Sequence, residues 1–460
     1  MPLLTYFNYL IIRIFTKFFE VLLMAAQGTR KVAAYFMRGV AVTSAASVAA
    51  IMTKMDLARD HPGENDANAE LHHQGLQFKE TAAAKCRSLW RSSLDKLAEV
   101  EARLFASAGV QTRSSFVPIS FQNSQIYTVT LDPTEAPTAP STSTAPLGQL
   151  TGTLASTDST AEHPVVLVHG FGAGSAIWCA NMAAITTRHI VHAIDLLGFG
   201  RSSRPKFSAK PEEAEQQMVD AIEEWRKQMG IQKMYLIGHS FGGYLSTSYA
   251  LKYPERIEHL VLVDPWGYAE AEERQLSRKL TLIVGIISLF NPLTTLRVSG
   301  PFGPKLVKKA RPDLGVRYPS ENPDDIYEYI YRCNSQSPTG ETAFKSMMAK
   351  LGWAKNPMLH RFPDMHEAVP VTFIHGGQSW ISADPAYALK DQLPNNKINI
   401  HILENAHHHV YADARDEFNE LVRRIISGER TDSSESRTFD DCSLADSETT
   451  DYVYANHKTN

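Results

Sequence analysis

The sequence predicts an α/β chain built on a mostly parallel central sheet with helices on both faces, and three observations predict it. From Pro164 onward, short apolar runs rich in Val, Ile and Leu stand at 165–168, 191–194, 234–237, 260–263, 371–374 and 398–403. Their near-continuous hydrophobicity is that of strands covered on both faces, and helical stretches separate them as crossovers between parallel strands would. Three of the runs end in turns that carry reactive side chains.

Ahead of this body, Leu89, Leu94, Leu97, Val100 and Leu104 mark one face of a helix over 88–108. A hairpin is expected from 116–119 and 125–131, with Pro118 confining the first strand to an edge. Residues 56–131 thus read as an N-terminal helical segment and hairpin. Residues 132–163 hold Pro133, Pro137, Pro140 and Pro146 among Ser, Thr and Ala, with almost no large apolar side chain, and read as a linker or long loop. The body is then 164–427, and 428–460 is a Ser/Thr/acid-rich tail expected to be disordered.

The 460 residues carry a net charge of -4, but the charge is unevenly placed. Residues 1–55 hold six basic side chains against the single acid Glu20, whereas 428–460 hold eight acids against Arg430, Arg437 and Lys458. In the head, Leu3, Phe7, Leu10, Ile14, Phe18 and Val21 recur at helical spacing while Arg13 and Lys17 fall on another face. That pattern suits an interfacial membrane anchor or an organelle-targeting segment. No domain-sized stretch has the positive field that nucleic acid requires, and 43% hydrophobic residues exclude disorder of the whole chain. Cys86, Cys179, Cys333 and Cys442 lack CxxC spacing, so neither a zinc site nor a disulfide framework is expected.

The most specific motif is Gly238-His239-Ser240-Phe241-Gly242, a G-x-S-x-G between a strand and the helical run 244–252. Such a sharp turn exposes a serine hydroxyl at the top of the sheet, and small residues are needed where its backbone crowds. Val168-His169-Gly170-Phe171-Gly172 follows the first strand of the body. Acyl attack places negative charge on oxygen, and the N–H groups of Phe171 and Phe241 are the expected oxyanion donors. A general base is expected after the last strand, where His407, His408 and His409 stand side by side and leave the register open. Their consecutive spacing argues against a metal site. The acid is expected after the run 371–374, where Asp384 is the loop's only carboxylate; Asp264, at the end of 260–263, is the fallback.

Together, Asp195-Leu-Leu-Gly-Phe-Gly-Arg-Ser-Ser-Arg-Pro205, the serine turn, Leu262-Val-Asp-Pro-Trp-Gly267 and His408-His-Val-Tyr-Ala-Asp413 resemble one branch of the alpha/beta-hydrolase domain family. That branch contains the N-acyl-phosphatidylethanolamine lipase and the co-activator of adipose triglyceride lipase, the latter also described as a lysophosphatidic acid acyltransferase. The resemblance implies an alpha/beta-hydrolase fold with a lid inserted at 269–365, where apolar 280–290 precedes Lys305, Lys308, Lys309 and Arg311. It puts the base on His408. Ser240 matches the competent lipase type, since the co-activator type lacks that serine. The family acid follows Trp-Ile directly; here Ser382 stands there and Asp384 comes two residues later. His408 and Asp413 also match the H-x-x-x-x-D spacing of glycerophospholipid acyltransferases.

The expectation is a serine-dependent lipid acyl hydrolase or acyltransferase acting on phospholipids or lysophospholipids. It needs no cofactor, with acyl-CoA as co-substrate if it transfers acyl groups. It would be intracellular and peripheral to a membrane, at the mitochondrion or a lipid droplet. The rival expectation is a non-catalytic droplet scaffold or co-activator with a lipase partner.

Overall fold

The computed structural model describes residues 94–133, 163–186, 188–271, 293–349 and 352–429. The expectations for the head, the linker, the apolar stretch 280–290 and the tail beyond 429 lie outside the described residues.

Helix α1 (Leu94–Ser107) buries Leu97, Val100, Leu104 and Phe105 along one stripe. Strand β1 (Arg113–Ile119) then pairs antiparallel with β2 (Ser124–Leu131), and β1 is the sheet edge on which Pro118 was expected. The body continues through β3 (Val165–Val168), α2 (Cys179–Ile185), β4 (Val191–Ile194), α3 (Pro211–Gln228), β5 (Met234–His239), α4 (Phe241–Lys252) and β6 (Ile257–Val263). Helix α3 begins on a proline, carries Glu212 and Glu213 in its first turn and ends on Arg226 and Lys227. Each of these features favours a helix at that point.

The insertion contributes short helices α5 (Thr294–Val298), α6 (Gly303–Ala310), α7 (Leu314–Arg317), α8 (Asp325–Asn334), α9 (Thr339–Met347) and α10 (Met358–Arg361). Strand β7 (Val371–Gly376), α11 (Asp384–Gln392), β8 (Ile398–Leu403), α12 (Val410–Asp413) and α13 (Arg415–Ile426) complete the order.

All eight strands lie in one sheet, ordered β1-β2-β4-β3-β5-β6-β7-β8. From β4 to β8 every pairing is parallel, and β2 joins β4 antiparallel, so the N-terminal hairpin extends the same sheet. Because successive side chains of a strand point to opposite faces, the parallel strands feed two cores. Val166 and Val168, Leu236, Leu260 and Leu262 pack with Met218, Ile222 and Trp225 of α3 and Leu245 of α4. Val165 and Leu167, Ile237, Val261 and Val263 pack with Leu97 and Leu104 of α1, Met182 of α2 and Phe418 and Val422 of α13. The insertion is tied to this frame by polar contacts. Arg103 of α1 pairs with Asp325 of α8 at 2.9 Å, and Arg204 donates to Gly198 O at 2.6 Å and to Ser337 O at 3.0 Å. Among the described residues, no helix is long and apolar enough to cross a membrane.

Candidate active site

Ser240 sits on the turn from β5 into α4 with φ +52 and ψ −117, a left-handed backbone that a residue with a side chain adopts only when its surroundings enforce it. The two glycines of the motif make the turn possible. A Cβ on Gly238 would lie 2.5 Å from Ser246 Oγ and 2.6 Å from Gly242 O, and one on Gly242 would lie 2.7 Å from Val168 O. The G-x-S-x-G spacing is therefore a steric requirement of this turn. Neighbouring elements hold it from both sides. The Ser240 N–H donates to Val263 O at 3.0 Å, and Ser240 O accepts from Tyr244 N–H and Trp266 N–H, both at 3.1 Å.

His408 lies between β8 and α12 with Nε2 3.0 Å from Ser240 Oγ and Nδ1 2.6 Å from Asp264 Oδ2. An ionised carboxylate only accepts, so Nδ1 carries the proton and Nε2 is free to accept the serine's. The backbone beneath this imidazole is fixed as well. His239 Nε2 lies 2.9 Å from His408 O. Burial and the neighbouring His408 bring the His239 pKa down to about 3, so it serves as a neutral N–H donor. Of the other two histidines, His407 has Nδ1 3.1 Å from Gln378 O, while His409 is half-buried with Nδ1 accepting from Arg311 Nη1 at 3.0 Å. Burial, with Arg311 next, pushes His409 well below the usual imidazole range.

The carboxylate beside His408 is not the one expected first. Asp384 is an exposed residue at the start of α11, its N–H donating to Ser382 Oγ at 3.0 Å. There it serves as a first-turn acid of a helix and does not reach His408. Asp264, the fallback, directly follows β6, is fully buried and has φ +43. Its N–H donates to Ile374 O at 2.8 Å. Its carboxylate accepts from His408, from His375 Nδ1 at 3.2 Å and from Ser379 Oγ. Burial opposes its charge, but the hydrogen bonds of His375 and His408 outweigh this and hold its carboxyl at about 2. The physical reason for the change of position is the sheet order. β6 lies directly between β5, which carries the serine, and β7. Parallel strands deliver their C-terminal residues into one crevice. The end of β7 and the loop after it, where the acid was expected, supply two donors to the acid instead.

Asp413 does not orient His408 either. Its carboxylate accepts from His407 N–H at 2.8 Å and pairs with Arg317 of α7. The H-x-x-x-x-D spacing is here a turn closed by its own aspartate and an ion pair to the insertion.

Phe241 opens α4, so its N–H belongs to the first-turn donors that have no carbonyl four residues back. Phe171 follows Gly170, which presses on the serine turn closely enough that a Cβ there would lie 2.7 Å from His239 Nδ1 and 3.1 Å from Ser240 Cβ. This glycine-rich turn is braced throughout. His169 bonds Gly170 O through Nδ1 at 2.7 Å and accepts Leu196 N–H on Nε2 at 3.0 Å. Asp195 accepts from Ser175 N–H and Arg201 N–H, both at 2.6 Å, and Asn334 of α8 donates to Gly172 O at 2.6 Å. An aromatic wall closes the site. Phe344 of α9 stacks on Phe171 at 4.4 Å and lies 4.8 Å from both Phe241 and Trp266, between ring centroids. Ser240 is only 7% exposed, so charges at this centre interact in a largely water-free surrounding.

The arrangement offers a hydroxyl nucleophile, an imidazole base, a buried carboxylate and two backbone N–H positions, the parts of an acyl-transfer site. Among the described residues, no group of three or more His, Cys, Asp or Glu could hold a metal ion. Sequence reasoning missed His375, Ser379, His239, Asn334 and Phe344. For His375 and Ser379 a signal existed, since both stand in the loop after a predicted parallel strand.

Residues 163–414 match a family model described as alpha/beta hydrolase fold. A (lyso)-N-acylphosphatidylethanolamine lipase of Bos taurus is 43% identical, covering 73% of this chain and 92% of its own. A 1-acylglycerol-3-phosphate O-acyltransferase of Homo sapiens is 45% identical over 57% of this chain and 77% of its own. Among solved structures, carboxylesterase CesB from Bacillus subtilis superposes with a TM-score of 0.51 at 14% identity, covering 73% of this chain and 99% of that one.

Proposed function

The chain belongs to the alpha/beta-hydrolase family, in the branch with (lyso)-N-acylphosphatidylethanolamine lipases and 1-acylglycerol-3-phosphate O-acyltransferases, and on that premise we propose that it is a serine-dependent acyl hydrolase of N-acylated phospholipids and their lyso forms. The observation that carries the reading is the hydrogen-bonded chain Ser240 Oγ, His408, Asp264.

Ser240 Oγ attacks the acyl carbonyl as its proton passes to His408 Nε2. Asp264 Oδ2 holds the Nδ1–H and stabilises the imidazolium that forms. The N–H groups of Phe171 and Phe241 receive the oxyanion. Collapse breaks the bond to the leaving group, which takes the proton from His408 and departs, leaving the acyl group on Ser240. Water then attacks through the same base, releasing the fatty acid and restoring the serine.

A second reading has one observation in its favour. The aromatic wall around Ser240 disfavours water as acceptor, so a lysophospholipid hydroxyl could take the acyl group from the same acyl-serine. A route in which Asp413 orients His408 is not supported, because that carboxylate is committed to His407 N–H and Arg317. Substrates of this class reside at a membrane or droplet surface. The exposed Phe302, Lys305 and Lys309 of the insertion suit contact with anionic lipid there.

A fluorophosphonate probe tests the proposal. Labelling of Ser240, loss of labelling and of fatty-acid release in Ser240→Ala, and release from N-acyl phospholipid vesicles are expected. Well-folded protein that does not label would leave the non-catalytic scaffold as the reading.

A further inference from the structure

The end of β7 and the loop after it carry two side chains that the triad itself does not require, and both are aimed at the buried acid. His375, at the end of β7, is 3% exposed and brings Nδ1 to 3.2 Å from Asp264 Oδ1. Ser379 Oγ donates to Asp264 Oδ2, the oxygen that also meets His408. We propose that His375, seconded by Ser379, is a positioning residue that fixes the orientation and charge of Asp264 and thereby sets the proton affinity of the Asp264–His408 pair.

This rests on the proposed serine mechanism for its kinetic consequence, but its geometry stands independently. A carboxylate only accepts, so His375 Nδ1 carries the proton, and the buried Nε2, which has no partner among the described residues, is the bare nitrogen. The ring is packed inside the protein and lies parallel to Phe373, at an interplanar angle of 5° with centroids 6.1 Å apart. Asp264 needs such a holder. It is a non-glycine residue at φ +43 directly before a proline, where its backbone has no intrinsic reason to stay. Strand β7 grips it twice, through Ile374 O on its N–H and through His375 on its carboxylate.

The groups facing the pair come from several elements. They are His375 and Ser379 from β7 and its loop, His239 and Ser240 from β5 and its turn, and His409 beside His408. Among these, His375 and Ser379 donate to Asp264 alongside His408. Removing a donor leaves the carboxylate more basic, so the pair binds its proton more tightly. His408 must be unprotonated at Nε2 to act as base, so the acid limb of the pH profile moves upward.

The test uses the isosteric pair His375→Leu and His375→Asn in the full chain, the Asn amide nitrogen standing where Nδ1 stood. Loss of one hydrogen bond to a charged group predicts an acid limb of kcat/KM raised by about one pH unit in His375→Leu. His375→Asn is expected to follow the wild type, and Ser379→Ala to move the limb in the same direction as Leu. The second readout is the low-field NMR proton of His408 Nδ1–H, whose titration needs no turnover. If the wild type fails to react with acyl substrate, the mechanism fails, while this titration still decides the role of His375. Superimposable titrations for wild type and a folded His375→Leu would overturn the proposal, as would a folded His375→Asn or, if Leu does not fold, a folded Ser379→Ala whose titration contradicts these expectations.

Discussion

Replacing Asp264 by Asn separates the carboxylate that the structure puts beside His408 from the one expected in sequence. The Asp264 carboxylate receives three donors, His375 on Oδ1 and His408 and Ser379 on Oδ2. An amide has only one acceptor atom, so either orientation sets an NH₂ against a donor. With the NH₂ toward His408, the imidazole must accept on Nδ1 and carry its proton on Nε2, the tautomer that cannot take the Ser240 proton. The corresponding change in a related triad lowers turnover by about 10⁴, or about 5.5 kcal/mol of transition-state stabilisation. The assay is the second-order rate of fluorophosphonate labelling together with kcat/KM on a soluble acyl ester. Asp384→Asn, an exposed substitution at the start of α11, should leave both near wild type. A folded Asp264→Asn that reacts like wild type, or an Asp384→Asn crippled as a triad mutant would be, refutes the reasoning.

Gly242→Ala should fail to give a native turn, since its Cβ would lie 2.7 Å from Val168 O; overpacking of that kind costs about 1–3 kcal/mol or more, read as a fall in Tm beyond that of a surface substitution. Asp413→Asn should lower Tm through the ion pair to Arg317 while sparing Ser240 labelling in the folded protein; loss of labelling at unchanged Tm would restore a role for Asp413 at His408. The Asp264 pKa is depressed from 3.8 to about 2, so its contribution is complete above pH 3.8 and disappears as pH falls through about 2. That amounts to about 2 kcal/mol, and acid unfolding of Asp264→Asn should lack this component.

Much of this was legible because strands covered on both faces announce themselves. The runs expected at 165–168, 191–194 and 398–403 coincide with β3, β4 and β8, and Pro118 does mark an edge. Boundaries at polar or glycine residues were harder to read. β5 runs on to His239 and β7 to Gly376, because ladder bonds to β6 and β8 hold residues whose side chains carry no strand signal. The serine turn could be read from its spacing, since both glycines are sterically enforced. The choice between Asp384 and Asp264 as partner of His408 could not. Which aspartate reaches the imidazole depends on β6 lying between β5 and β7, a fact of lateral strand order that no local pattern contains. His375 stands just beyond a run that reads as a strand, but the carboxylate it meets is known only once its neighbour across the sheet is known.

If acyl groups pass through Ser240, the acyl-enzyme can be trapped on that serine. The full chain is quenched in acid seconds after mixing with an N-acyl phospholipid, digested and weighed by mass spectrometry. The substrate's acyl mass is expected on the peptide containing Ser240, absent in Ser240→Ala and slow to form in Asp264→Asn. Fatty-acid release at full rate with no adduct on that peptide, or undiminished in Ser240→Ala, would contradict passage through Ser240.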